Sequence, residues 1–238
     1  MANLESDRLN KELYDLYKGR WETLEKILNS NPNLSHPQLM WVPEDYLKAR
    51  FKLMIVGQQA NRWGFDKGKR QHFASNDIIS ALIEEAKNFV TGPKYKNRPF
   101  WIASFNLNKL LKLPKYGFVW SNLIKLDDKS DKENEGARVK HDIEQKLCGL
   151  GLLQEEIKIT RPNVVVFFTG PHYDNRLDED FKGIDKKNVE PYKERQFARL
   201  KHELLPNSFR IYHPDYLNWA GKWNMIELLS DEVKKIHI

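Results

Sequence analysis

Short, continuous apolar runs alternate along the chain with longer segments in which apolar residues recur every three or four positions. The short runs predict buried strands, and the periodic segments predict amphipathic helices. The predicted strands cover 51–56, 116–124, 164–168 and 209–212. The predicted helices cover 5–29, 76–90, 100–112, 138–160, 192–204 and 222–236, with a long charged loop over 171–191.

This alternation of strands and helices predicts an α/β fold with three layers, α/β/α, built on a central four-stranded parallel sheet. No internal repeat or linker-like segment interrupts the pattern, so we expect one domain over 1–238, with residues 1–50 as an N-terminal helical extension packed on it. In such sheets, ligands bind beyond the carboxyl ends of the strands. Functional residues are therefore expected directly after the predicted strands.

Composition narrows the function classes. The net charge of +6 and the pI of about 9.1 permit contact with phosphates, although such an excess also occurs in proteins that bind none. The single cysteine, Cys148, excludes an intrachain disulfide and a multi-cysteine metal site, and it indicates a reducing compartment. No apolar run approaches the ~20 residues that span a bilayer. We expect a cytoplasmic protein without membrane contact, metal or cofactor.

Carboxamides follow the first predicted strand. Gly57 ends its apolar run, and Gln58, Gln59 and Asn61 come next. A carboxamide offers both hydrogen-bond donors and acceptors, which suits recognition of a nucleobase edge. The glycine spacing does not match a phosphate-binding loop. Taken alone, the segment is equally consistent with a polar turn between a strand and a helix.

Two further polar residues lie at predicted strand ends. Asn122 interrupts an apolar run, where an unpaired carboxamide would be costly, so it requires either a ligand or a backbone partner. His213 follows the last predicted strand, where it can donate a hydrogen bond or transfer protons, or can cap the next helix.

Together, these segments resemble the uracil-DNA glycosylase superfamily, from about residue 51 to residue 236. The family's first motif is a strand followed by Gly-x-Asp-Pro or Gly-x-Asn-Pro and then an aromatic–Gly pair, and its positions are filled here by Gly57, Gln59, Ala60, Trp63 and Gly64. The family's closing motif, His-Pro-Ser-x-Leu/Arg-Ser/Asn, is matched by His213, Pro214, Asp215, Leu217 and Asn218. Between them, Asn122 stands where the family has its base-reading asparagine.

The resemblance implies that a nucleotide is flipped from DNA into a pocket formed by these motifs. Asn122 would read the base, with Gly57 and Gln58 beside it, and His213 would donate to the departing anionic base. Phe73 is the first candidate to stack on the base and Trp63 the second. The resemblance also implies DNA contacts, in which Leu217 enters the vacated space in the duplex and basic residues meet phosphates: Arg62, Lys67, Lys69, Arg70 and Lys222.

One departure from the family affects catalysis directly. Where the family has an aspartate or asparagine, this chain has Gln59, which cannot act as a base and carries no charge. We therefore take Gln59, Asn61 and His213 as the candidate catalytic set, with Asp66 or Asp215 as possible sources of a carboxylate. Three functions stay open: a DNA glycosylase, a protein that binds a base, nucleotide or nucleic acid without cleaving it, and another small-molecule hydrolase on a similar sheet. The expected partner is single- or double-stranded DNA or a free base or nucleotide, bound by a monomer.

Overall fold

The structure, a computed structural model, describes residues 2–66, 69–70, 77–93, 96–129 and 137–236. The helices are α1 Ala2–Ser30, α2 Glu44–Lys48, α3 Ile78–Thr91, α4 Pro99–Leu110, α5 His141–Cys148, α6 Leu152–Thr160, α7 Asp174–Asp180, α8 Pro214–Trp219 and α9 Asn224–Lys234, with a 3₁₀ helix at Pro171–Tyr173. The strands are β1 Leu53–Gln59, β2 Phe65–Asp66, β3 Lys69–Arg70, β4 Phe118–Ile124, β5 Val164–Phe167, β6 Asp185–Asn188, β7 Phe197–His202 and β8 Leu205–Ile211.

The central sheet is mixed and has six strands, in the order β4-β1-β5-β8-β7-β6. The four strands that the apolar runs predict pair in parallel with one another, β4 with β1, β1 with β5 and β5 with β8. Beyond them, β7 and β6 continue the sheet in antiparallel pairing, so the expectation of a purely four-stranded sheet is wrong. A separate two-stranded ribbon joins β2 and β3.

The two additional strands lie in the region predicted as a charged loop and a helix. In β7, Phe197, Ala198 and Leu200 are buried while Arg199 and Lys201 are exposed, as expected for a strand with one solvated face. The apolar residues of this segment also recur at three- and four-residue spacing, which favoured a helix. Strand β6, with the sequence Asp-Lys-Lys-Asn, is an edge strand without an apolar face, and charged edges of this kind limit pairing with other chains.

The predicted helix over 138–160 is two helices, α5 and α6. They are separated at Gly149–Gly151, where Gly151 has a left-handed backbone (φ +62°) that ends one helix and allows the chain to turn into the next. The short helices α2, α7 and α8 lie outside the predicted helices, and α7 falls in the segment predicted as a charged loop.

Helices cover both faces of the sheet, as β4 demonstrates. Its successive side chains point to opposite faces. Ser121 hydrogen-bonds Glu156 of α6 at 2.7 Å, whereas the neighbouring Trp120 packs edge-on against Trp101 of α4. On the α6 side, Tyr17 of α1 also hydrogen-bonds Glu156 at 2.6 Å, so the N-terminal helix shares the core of the sheet. None of the described helices is both long and apolar enough to cross a bilayer.

Candidate functional site

A cleft of about 580 Å³ lies at the carboxyl ends of β1 and β4, beside the turn that follows β8. It contains eight of the residues that the sequence proposed for a site: Gly57, Gln58, Gln59, Asn61, Arg62, Trp63, Asn122 and His213. Parallel pairing explains the convergence, because strands that run in the same direction present their carboxyl ends at one edge of the sheet.

Gly57 and Asn122 face each other across neighbouring strands, where they are register partners in the β1–β4 pair. A Cβ atom added at Gly57 would lie 2.4 Å from the side-chain oxygen Oδ1 of Asn122 and 3.2 Å from the ring of Phe100. Only glycine leaves room for the Asn122 carboxamide in this position. Asn122 is buried, and its carboxamide makes no hydrogen bond to another described residue. Among the described residues, therefore, none competes with a ligand for this carboxamide.

The two glutamines at the end of β1 are both engaged. Gln58 donates through Nε2 to the backbone oxygen of Thr169 at 2.8 Å, which ties the end of β1 to the segment after β5. Gln59 accepts a hydrogen bond of 2.7 Å from the hydroxyl of Tyr173 at its Oε1. Burial raises the pKa of Tyr173 to about 12, so its hydroxyl stays protonated and acts as the donor. One lone pair of the Gln59 carboxamide oxygen is therefore already engaged.

His213 caps α8 at the opposite side of the cleft. Its Nδ1 accepts from the backbone N–H of Asp215 at 3.3 Å, and the Asp215 carboxylate also lies 3.3 Å from Nδ1. In the neutral ring, Nδ1 is thus the acceptor and Nε2 carries the proton, whereas a protonated ring would donate from Nδ1 to the carboxylate. In that protonated arrangement, the hydrogen bond from His213 lowers the pKa of the Asp215 carboxyl, and partial desolvation opposes this effect. The imidazole also stacks on Phe100, with ring centroids 6.0 Å apart.

The loop after β1 is fixed by hydrogen bonds on the β4 side. The Ala60 N–H donates to Ile124, and the Arg62 N–H donates to both carboxylate oxygens of Asp127 at 3.0 and 3.2 Å. Arg62 has a left-handed backbone (φ 57°), a conformation that costs energy for a residue with a side chain. The loop is therefore held in one shape by its contacts with the strand end.

The remaining wall of the cleft is aromatic. Trp63 is buried, with its ring 5.1 Å from Phe89 and 5.6 Å from Trp120. The indole N–H groups of Trp63 and Trp120 are both buried without a hydrogen-bond partner among the described residues. Trp63 thus forms part of a fixed wall, and these donors are chemically suited to a ligand that brings acceptor atoms.

Several predicted DNA-contacting residues lie elsewhere. Leu217 is fully buried in α8, so the structure does not place it where it could enter a duplex. Arg70 is half-buried and donates to the backbone oxygen of Leu28 at the end of α1, and Lys222 lies over the ring of Tyr216 at 5.8 Å. The side chain of Lys69 is not described, and Phe73 and Lys67 lie outside the described residues, as does the side chain of the alternative carboxylate Asp66.

The structure adds residues that the sequence did not single out. Phe100 and Arg98, at the start of α4, line the cleft, and Tyr173 supports Gln59. The sequence shows that the start of α4 is rich in aromatic residues, but no pattern in it predicts that these residues face the end of a strand. Among the described cleft-lining residues, Asp215 is the one carboxylate, and in the described part of the chain no group of three or more His, Cys, Asp and Glu residues is arranged to hold a metal.

Comparison with known proteins agrees with this arrangement. The family model described as the uracil DNA glycosylase superfamily matches residues 44–232, which includes every strand of the sheet and both sides of the cleft. No curated protein sequence matches the chain. Because the match extends over most of the chain, this protein belongs to the uracil DNA glycosylase superfamily.

Proposed function

We propose that this protein is a DNA glycosylase-like protein that takes a flipped uracil, or a related damaged base, into the cleft and hydrolyses its glycosidic bond. The observation that carries the proposal is the meeting of Gly57, Gln59, Asn122 and His213 in one cleft of a member of this superfamily. We further propose that it acts as a monomer within a reducing, cytoplasmic compartment, without a metal or cofactor.

The roles follow from the hydrogen-bonding capacity of each residue. The Asn122 carboxamide offers a donor and an acceptor to the polar edge of a base, in a position that Gly57 makes possible. Phe100, which lies against Gly57 and stacks on His213, supplies an aromatic face for the base. His213, with Nδ1 held by the Asp215 amide, carries its proton on Nε2 and donates it towards a departing anionic base.

Cleavage also creates positive charge on the sugar, and here the residues supply less. Gln59 brings a dipole and no charge, and its oxygen already accepts from Tyr173. The Asp215 carboxylate lies on the His213 side. The lack of a charged group at residue 59 favours a second candidate function, in which the cleft binds a base, a nucleotide or nucleic acid without cleaving it.

A single-turnover cleavage assay on a uracil-containing single strand separates the two candidates. The variants are the native protein, Gln59→Asp, Gln59→Glu and Gln59→Asp combined with His213→Ala. Gln59→Glu is the matched control for geometry, because it adds a carboxylate without changing the length of the side chain. We expect the native protein to excise uracil weakly or not at all. A well-placed carboxylate at residue 59 should raise the excision rate by roughly 100-fold, the magnitude of a preorganised electrostatic contribution. Loss of His213 should remove the gain.

Two results would change the assignment. Strong native excision that is insensitive to residue 59 would show that the catalytic position is elsewhere. Absence of excision in every variant, with binding of uracil-containing DNA retained, would establish the non-catalytic candidate instead.

A further inference from the structure

The most exposed large apolar side chain in the described part of the chain is Trp219, at 82% exposure. It lies at the end of α8 in a row of three aromatic rings, which we call the α8 aromatic surface: Tyr212, Tyr216 and Trp219. The ring centroids of Tyr212 and Tyr216 are 4.4 Å apart, and those of Tyr216 and Trp219 are 6.0 Å apart. An isolated exposed tryptophan needs no explanation, but a row of rings that ends in one indicates a contact surface.

This surface is continuous with the cleft. His213 and Asp215, which line the cleft, lie in sequence between Tyr212 and Tyr216 of this surface. With six residues, α8 is about 9 Å long, so Trp219 lies close to the cleft entrance along the helix axis. A strand that places one base in the cleft therefore brings its neighbouring nucleotides to this surface.

Positive charge accompanies the rings. The Nζ of Lys222 lies 5.8 Å from the centre of the Tyr216 ring, and the exposed Arg98 lines the adjoining cleft. The carboxylate of Asp215 lies 3.3 Å from Nδ1 of His213. Aromatic rings next to cations are the combination by which proteins bind unpaired bases and their phosphates.

We propose that the α8 aromatic surface stacks with the unpaired bases of single-stranded DNA next to the nucleotide whose base occupies the cleft. Unpaired bases expose their faces to such rings, whereas the bases of a duplex are covered by their neighbours. Because Leu217 is buried and Trp219 is the most exposed ring of this surface, we expect Trp219, and not Leu217, to make the main contact of α8 with the DNA. The inference rests on the proposed function for the placement of the strand, but it concerns binding and not cleavage.

The test measures the affinity of a labelled single strand of about ten nucleotides with one central uracil, and of the matched duplex, by anisotropy. The variants are Trp219→Ala, Trp219→Phe and, as a control, Leu4→Ala, which removes another highly exposed apolar side chain (76% exposed) from α1. We expect Trp219→Ala to weaken single-strand binding roughly 5- to 150-fold, as loss of one stacked base does. Trp219→Phe should retain most of the affinity, Leu4→Ala all of it, and the duplex should bind more weakly than the single strand.

Three outcomes overturn the inference: unchanged single-strand affinity in Trp219→Ala, an equal loss for the duplex, or no binding of either DNA by the native protein. Because Trp219 is exposed, the variant should unfold at the native midpoint, and a thermal melt checks this. Failure of the proposed function looks different. It appears as absent excision in the cleavage assay, while the Trp219-dependent affinity for the single strand persists.

Discussion

Substitution of Gly57 by alanine tests whether the Asn122 carboxamide recognises the ligand. The new methyl group would lie 2.4 Å from Oδ1 of Asn122, and 3.2 Å from Phe100 on its other side. Ordinary contact begins near 3.4 Å, so Oδ1 has to retreat by about 1 Å. The contact with Phe100 limits how far the backbone can move instead.

We expect Gly57→Ala to reduce activity or binding more than it reduces folding stability. A displacement of about 1 Å in a recognising or reacting group costs roughly 100-fold in rate. Overpacking of the strand end costs about 1–3 kcal/mol of folding free energy. Gly57→Ala should therefore remain folded while excision, or the affinity for uracil-containing DNA where excision is absent, falls by about two orders of magnitude.

The assay compares Gly57→Ala with Gly19→Ala, a matched control. Gly19 lies exposed inside α1, and a Cβ atom added there meets nothing within 4 Å. That substitution should raise stability by about 0.5–1 kcal/mol and leave the cleft unchanged. If Gly57→Ala keeps native affinity and native rate in a folded protein, Asn122 does not read the ligand, and the assignment of the cleft loses its central contact.

Three further predictions follow from other parts of the structure. Tyr17→Phe should lower the free energy of unfolding by about 2–5 kcal/mol in denaturant titrations, because the buried Tyr17 hydroxyl donates to Oε1 of Glu156 and accepts from the Met40 N–H, and these two buried atoms would each lose that hydrogen bond; an unchanged midpoint contradicts this. Burial, with a smaller contribution from Asp180, raises the pKa of the Cys148 thiol to about 11, so at pH 8 it should react with a thiol reagent roughly 100-fold more slowly than in the unfolded chain, and equal rates would refute the argument. DNA affinity should fall steeply between about 50 and 200 mM salt, and Arg62→Ala or Arg98→Ala should flatten that dependence, whereas a salt-independent affinity would count against phosphate contacts.

The sheet was predictable where its strands are covered on both faces. Strand β5, Val164–Phe167, is a continuous apolar run because helices cover both of its sides, and no helix pattern competes with it. Strand β7 was predicted as a helix because the apolar residues Phe197, Leu200 and Leu204 of its segment are three and four residues apart, a spacing typical of a helix. Its antiparallel pairing with β8 on one side and β6 on the other determines that it is a strand.

The same distinction applies to the site. Gly57, Asn122 and His213 were predictable because each lies near the carboxyl end of a strand whose direction places it at a common edge. Tyr173 was not, since it lies in a segment predicted as loop and meets Gln59 across 114 positions of sequence. Leu217 shows the limit of transferring a motif by position. Pro214 and Leu217, three residues apart, share the buried face of α8, while Tyr216 and Trp219 share the other, so the short helix turns the motif's leucine inward.

The two sides of the cleft differ in the groups that they offer to a bound nucleotide. Breaking a glycosidic bond separates charge, with the negative part on the base and the positive part on the sugar. On the proposed base side, the Asp215 amide donates to Nδ1 of His213, an arrangement that is fixed before any ligand arrives. On the proposed sugar side, the Tyr173 hydroxyl donates to the oxygen of Gln59, but the group that it holds is neutral. A preorganised dipole can orient water or a sugar hydroxyl, whereas only a charge gives the larger stabilisation of a cation. Under the proposed function, we expect binding and cleavage to be separated by the group at residue 59, and a carboxylate introduced there tests this.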